Sequence, residues 1–517
     1  MGLRTAHLSG KATPTEPMPP RIMRHLFPHP IHAMTRLSPA LLAQLTDIVG
    51  ADGVLQTPED LRAHVTDWRQ RYSGPTDAVL LPRSTEQVAR IVQLCAQHRL
   101  PLIPQGGNTG QSGGSVPLAD QGANVIVNLA RMNRIRALDR DDSTISVDAG
   151  VVLQSIQEAA TQCGRYFPLT LGAEGSCQIG GNLATNAGGT NVLRYGNARD
   201  QVIGLEVVLP DGQVWDGMRK LRKDNTGYDL KSLFMGSEGT LGLITGAVLK
   251  LYAQPVERAV AWAAVPSLQA AVHTLSLLRD SFESRLSAFE YLSKGQLQLV
   301  NRHVAGTANP LPGDHDGFLL VELSDSVATG TLDAMLQGAL ANAMERGLLE
   351  NAVVATSHAH AAAFWKVRHS VSEANRAHGM SLNHDVAVPT SALPLFVSRA
   401  TEQIRARFAQ AEVITVSHLG DGNVHFLTIF PRPFWEQLED PVQYAADVRR
   451  VVFDLAAECE GTFSAEHGVG QGLTTELSRY KSPVGLQLMH QVKGLLDPHC
   501  IMNPGKVLRA DPALART

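Results

Sequence analysis

Three long polar stretches rich in glycine constrain this chain more than any other feature: residues 105–116 (QGGNTGQSGGSV), 172–189 (GAEGSCQIGGNLATNAGG) and 222–242 (RKDNTGYDLKSLFMGSEGTLG). Glycines let backbone N–H groups turn toward an anion and let the chain approach a ligand with no side chain in the way. One such stretch reads equally well as a surface loop. Three of them, separated by regular elements, read as walls of one extended crevice for a long ligand carrying phosphates and rings, which a dinucleotide is. Neither GxGxxG nor GxxxxGK[ST] occurs, so neither a Rossmann nor a P-loop site is predicted.

The surrounding pattern is α/β at first. Residues 77–82 read as a strand, Ser84 and Gln87 as a capping box, and Val88, Ile91, Val92 and Cys95 recur at helical spacing. Residues 100–104 form the next strand and run directly into the first glycine stretch. Strands at 123–129 and 144–148 and a helix at 152–163, closed by Gly164, lead to the second. Beyond a boundary near Gln254-Pro255 the pattern changes. A strand at 259–264, a helix at 267–279, a strand at 318–324 and helices at 328–347 and 361–377 predict an antiparallel α+β unit. Helices at 442–460 and 483–496 follow, ended by Gly461 and by Asp497-Pro498. The predicted division is 1–36 as a disordered leader or misassigned start, with Met34 as the alternative beginning. Residues 37–255 then form the ligand-binding domain, 256–440 a cap, and 441–517 a helical segment that completes the site.

A net charge of −4 over 517 residues gives no basic field for nucleic acid or an anionic membrane surface, and neither partner is expected. Five cysteines without a CxxC pair predict a reducing compartment, taken as the cytoplasm. No apolar run reaches the roughly 18 residues of a membrane-spanning helix.

Two further stretches carry chemistry. Residues 417–426 (SHLGDGNVHF) place His418 and His425 around a Gly-Asp-Gly turn, and residues 464–470 (SAEHGVG) place Glu466 beside His467. Two imidazoles and a carboxylate are the donor set of a zinc with one open position. Two histidines seven apart also recur by coincidence, and a purely structural metal is the alternative.

These motifs, with GGNTGQSGGSVP, RYGNARDQVIGLEVVLPDG and MNPGKVL, keep one order from about residue 77 to 508. They resemble the FAD-linked oxidase and dehydrogenase family that includes vanillyl-alcohol oxidase and the D-lactate dehydrogenases, and most of all its D-2-hydroxyglutarate dehydrogenases. The resemblance implies an α+β fold: a two-subdomain FAD-binding domain of the vanillyl-alcohol-oxidase (PCMH) type, an α+β substrate cap and a C-terminal helical segment. It implies FAD bound non-covalently, because no histidine lies between His98 and His273 and Cys177 is better read as a packing residue. The flavin-contacting positions it implies are Pro104, Gln105, Gly106, Gly107, Asn108, Thr109, Gly110, Gly114 and Ser115 in the first stretch. In the second they are Gly172, Ser176, Gly180, Gly181, Asn182, Thr185, Asn186, Gly188 and Gly189, and beyond it Glu238, Gly239, Ile244 and Asn503.

By the same resemblance His418, His425 and Glu466 bind Zn2+ or another divalent ion, His467 is the catalytic base, and Arg368 and Ser372, on one helix face, hold substrate carboxylate. The implied reaction oxidises a D-2-hydroxy acid: the metal binds the C2 hydroxyl and C1 carboxylate, His467 takes the proton, hydride passes to the flavin, and a 2-oxo acid remains. Two positions of the substrate pocket depart from the pattern: Asn383 stands where those enzymes carry a lysine, and Leu427 where they carry an asparagine. Losing charged hydrogen bonds costs about 1.5–3 kcal/mol each, so a second, distal carboxylate is expected to be held less firmly. D-2-hydroxyglutarate is the first expected substrate, then D-malate or D-lactate. A D-lactate or glycolate type dehydrogenase, an oxidase, and a flavin-binding protein with a structural metal are the alternatives. With no nicotinamide fingerprint, the expected acceptors are electron-transferring flavoprotein, a quinone-linked carrier or a second 2-oxo acid; a homodimer is compatible with the chain.

Overall fold

The computed structural model describes residues 36–509, so the leader expected over 1–36 lies outside the described residues except for Arg36. The first sheet orders Val54–Leu55, Ala78–Leu80, Val125–Asn128 and Leu102–Gln105, the last three mutually parallel. The helix Thr85–His98 makes the crossover between parallel strands. Ser84 caps it by accepting from the Gln87 N–H, and it buries Val88, Ile91, Val92 and Cys95 as their spacing predicts. Gln87 Oε1 accepts from Arg83 N–H, which ties the entry of the helix to its first turn.

The second sheet is antiparallel throughout, in the order Ile135–Asp139, Thr144–Asp148, Leu243–Lys250, Val202–Val208 and Val214–Gly217. Both sheets share one apolar core, and the short helix Ile179–Ala184 adds Ile179 and Leu183 to it. The glycine stretches emerge where these sheets meet. Gly107 is required there: a Cβ would lie 2.1 Å from the Ser176 carbonyl oxygen, so the first and second stretches touch backbone to backbone.

The third sheet has seven antiparallel strands in the order Asn351–Val354, Glu257–Val265, Gly317–Asp325, Leu286–Ser293, Glu412–His418, Asn423–Phe430 and Met380–Ala387. Strand alternation sends Phe289, Tyr291, Val424 and Phe426 into one core with the helices Leu268–Phe282, Leu332–Glu345, Leu393–Arg407 and Pro441–Glu458. The opposite face buries Leu292, Val416, Leu427 and Ile429 against His358–His369 and Val371–His378. The fold is α+β, as expected. The single helix predicted over 361–377 is interrupted at Ser370, whose N–H still reaches the Lys366 carbonyl, and it continues as a second short helix.

After the helix Pro483–Leu496 the chain returns to the first sheet. Leu102 N–H donates to the Ile501 carbonyl and Asn503 N–H to the Leu102 carbonyl, so the C-terminal stretch lies along the strand that feeds the first glycine loop.

Candidate active site

The three glycine stretches line a half-open cavity. Of the positions expected to meet flavin, Pro104, Gln105, Gly106, Gly110, Gly114, Ser115, Gly180, Gly181, Thr185, Glu238, Gly239 and Ile244 line it. Side chains added at Gly110 and Gly181 would meet nothing within 4 Å, so backbone faces open space there. Buried Asn182 Oδ1 and Gln178 Oε1 lack hydrogen-bond partners. An open backbone cradle beside unsatisfied buried polar groups fits a flavin dinucleotide.

The remaining expected positions serve the walls. Asn108 donates to the Ala63 and Thr66 carbonyls and accepts from Ser115 Oγ. Asn186 Oδ1 accepts from Arg199 N–H, and Asn503 Nδ2 donates to the Gly114 and Glu238 carbonyls. Gly189 packs on the Thr170 carbonyl, while Gly172 stands open. Thr109 and Ser176 sit beside these in the touching first and second stretches, Ser176 exposed. Glu238 uses its carboxylate otherwise than expected of a flavin contact: its two oxygens accept from Val469 and Gly470 N–H, both at 2.7 Å. It thereby ties the flavin cavity to the loop that carries His467, which itself lines the cavity. Ser112, outside the expected set, reinforces this by donating to the His467 and Gly468 carbonyls.

The second half of the site is built on one face of the seven-stranded sheet. Glu290 pairs in register with His418, and His425 lies between Val416 and Asp385. Alternation therefore brings Glu290, His418, His425 and Asp385 to the same face. Glu466 arrives from the C-terminal loop, and ligand atoms of His418, His425 and Glu466 all lie within 4.8 Å of one another. His418 Nε2 is 3.9 Å and His425 Nε2 3.7 Å from the two Glu466 oxygens. This donor set fits a divalent ion with nitrogen and carboxylate ligands. Gly188, from the second glycine stretch, backs Glu466, where a Cβ would lie 2.8 Å from its carboxylate.

Two carboxylates that sequence reasoning missed hold the set in place. Glu290 accepts from His418 Nδ1 at 2.8 Å and from Arg368 Nε at 2.6 Å. Burial opposes its charge, but His418 and Arg368 outweigh burial and hold it down at about 2. Burial likewise works against an imidazolium at His418, yet Glu290 and Glu466 push it up to about 9. His425, desolvated first of all, falls to about 4 despite Asp385 and Glu466, and stays neutral. Asp385 Oδ2 accepts from the Glu466 N–H at 2.9 Å and the His467 N–H at 3.0 Å, and it lies 3.1 Å from His467 Nδ1. The available signal for both was an acid inside an apolar strand, SAFEYLS for Glu290 and LNHDVAVP for Asp385.

The expected substrate residues are less uniform. Arg368 is buried, its Nε committed to Glu290 and its Nη2 3.2 Å from His418 Nε2. Ser372 sits past the interruption at Ser370 and is exposed. Asn383 and Leu427 are direct register partners, two residues from Asp385 and His425 on the same sheet face. Leu427 is buried in the apolar cluster, and the Asn383 side-chain oxygen is buried without a partner.

Cradle, cap and base loop together define a flavin-dependent oxidoreductase. Family models agree in order: an FAD binding domain matches residues 76–217, and the C-terminal domain of FAD linked oxidases matches 254–507. A probable mitochondrial D-2-hydroxyglutarate dehydrogenase of Oryza sativa subsp. indica is 37% identical over 463 residues, covering 89% of this chain and 80% of its own. A D-2-hydroxyglutarate–pyruvate transhydrogenase of Saccharomyces cerevisiae is 33% identical, covering 90% and 94%. In fold alone, the crystal structure of p-cresol methylhydroxylase with substrate bound superposes with a TM-score of 0.70 at 15% identity, over 90% of this chain and 96% of that one. The chain belongs to the FAD-linked oxidase family, as a D-2-hydroxyglutarate dehydrogenase-like member.

The names correct one expectation. The rice relative, like those of Arabidopsis thaliana and Rattus norvegicus at similar identity, is named mitochondrial, which overturns the cytoplasmic assignment. All five cysteines are indeed free thiols, but free thiols require only a reducing compartment and do not single out the cytoplasm.

Proposed function

We propose that this protein is an FAD-dependent D-2-hydroxy-acid dehydrogenase whose first substrate is D-2-hydroxyglutarate, followed by D-malate or D-lactate. The observation that carries the reading is the position of His467: it lines the flavin cavity, and its ring stands 6.0 Å from that of His425 in the two-histidine, one-carboxylate cluster. A hydroxyl placed between cavity and cluster meets a base on one side.

His467 Nδ1 faces Asp385, which leaves Nε2 to take the C2 hydroxyl proton. FAD, when bound, supplies the two-electron acceptor for the hydride from C2, and the product is the 2-oxo acid. His418, His425 and Glu466 would hold a divalent ion, zinc first, which when bound supplies Lewis acidity toward the hydroxyl and carboxylate. Glu290 fixes the His418 tautomer by accepting from Nδ1, and the same carboxylate orients Arg368, whose Nη1 remains for substrate carboxylate while Nη2 lies against His418. Electrons then leave for electron-transferring flavoprotein, a quinone-linked carrier or a second 2-oxo acid, the last supported by the name of the yeast relative.

Anaerobic mixing of the holoenzyme with a panel of D- and L-2-hydroxy acids tests the reading. Bleaching of the oxidised flavin band by D-2-hydroxyglutarate and not by its L-enantiomer is expected. No bleaching by any D-2-hydroxy acid would exclude the proposal.

A further inference from the structure

The loop 66–73 takes no part in the reaction proposed above, yet it spans from the cap to the loop that follows His467. Thr66 and Ser73 form an isolated antiparallel bridge, and buried Asp67 closes the loop by accepting from the N–H groups of Arg71 at 2.7 Å and Tyr72 at 2.8 Å. At one end the exposed Trp68 ring lies 5.8 Å from the guanidinium carbon of Arg376, on the cap helix Val371–His378. At the other, the Tyr72 ring packs into the space that Gly113 and Gly472 leave clear, beside the first glycine stretch and the base loop.

Arg69 sits between these two anchors. Its Nε is buried and has no hydrogen-bond partner among the described residues. Desolvation, with Arg71 and Arg376 adding like charge, lowers its pKa to about 10, while Asp67 and Asp385 act in the opposite sense. Neither carboxylate is free to pair with it: Asp67 serves its own loop, and Asp385 serves His467, Glu466 and the Asn423 amide. A half-buried guanidinium whose buried Nε–H is unsatisfied is costly unless an anion meets it.

We propose that Arg69 is the subsite for the distal carboxylate of a dicarboxylic D-2-hydroxy acid. This rests on the D-2-hydroxy-acid reading and names the substrate class within it. Position 383 carries no charge, so the cation that a second carboxylate needs comes from the 66–73 loop of the flavin domain. Arg69 thus closes the far end of the pocket, while His467 works at the near end.

The test compares wild-type, Arg69→Met and Arg69→Lys holoenzymes in anaerobic flavin reduction with D-2-hydroxyglutarate and with D-lactate, which lacks a second carboxylate. Arg69→Met is expected to raise KM for D-2-hydroxyglutarate about 10- to 100-fold, as loss of a charged hydrogen bond does, with D-lactate kinetics unchanged and Arg69→Lys in between. Calorimetric titration with glutarate and with butyrate gives a readout independent of turnover: wild type is expected to bind glutarate more tightly, and Arg69→Met to lose that difference. Equal losses on both hydroxy acids, or an unchanged KM for D-2-hydroxyglutarate, would overturn the subsite. Wild type that oxidises D-lactate but not D-2-hydroxyglutarate also overturns it while leaving the hydroxy-acid reading intact; wild type inert toward every D-2-hydroxy acid ends that reading instead.

Discussion

One oxygen of Asp385 receives two backbone N–H groups and faces the Nδ1 of His467 at 3.1 Å, so a single buried side chain bears on the position of Glu466 and the ring of the proposed base together. Burial opposes its charge, but His467, His425, the Glu466 N–H and the Asn423 amide hold it well below the usual carboxylate range. Asp385→Asn keeps the shape and removes the charge that fixes the His467 tautomer. Flavin reduction by D-2-hydroxyglutarate should slow about 10- to 100-fold, the usual effect of losing such an orienting group, with KM nearly unchanged in the same stopped-flow series. His467→Ala should go further, retaining the FAD absorbance of the purified protein and abolishing reduction; reduction at the wild-type rate would remove His467 from the mechanism. Neither Asp385 nor Glu290 was legible as part of the site, because an acid within an apolar strand becomes informative only when strand order brings its face against a histidine. His418, His425, Glu466 and His467 were legible, because each pair lies within one short segment.

Among the elements, the loop 464–470 joins the two halves of the molecule, and Glu238 is its fastening from the flavin side. Burial pushes the Glu238 carboxyl up to about 7 from an ordinary 4.5, against the Val469 and Gly470 N–H groups and the Lys506 charge. The folded value lies above the unfolded one, so this group's stabilisation is complete below 4.5 and is lost as pH rises through about 7. Glu238→Gln should therefore show a smaller fall in Tm than wild type between about pH 5 and about pH 8, measured by calorimetry of the holoenzyme. Equal falls would show that Glu238 titrates as an ordinary carboxylate. The glycine stretches were legible in the sequence because backbone geometry demands those residues wherever chains touch or a ligand lies close. The interruption at Ser370 was not, since no glycine or proline marks it.

At the scale of the whole molecule, the metal-ligand set draws on separate parts of the fold: His418 and His425 from neighbouring cap strands, Glu466 from the C-terminal loop, and Gly188 of the flavin domain seated behind that carboxylate. An ion held there would join the cap strands to the 464–470 loop as well as serve the proposed reaction, so its removal should affect stability and activity together. Dialysis against EDTA is expected to lower Tm and flavin-reduction rate in parallel, with FAD retained, because His418, His425 and Glu466 are not among the residues that line the flavin cavity. Readdition of zinc should restore both, and His425→Ala should behave as the chelated protein does and no longer respond to EDTA. If chelation lowered activity while Tm stayed fixed, the ion would serve the reaction alone. If Tm fell while reduction by D-2-hydroxyglutarate persisted, the cluster would be a structural joint, and the base His467 with Arg368 would have to act on the hydroxy acid without it.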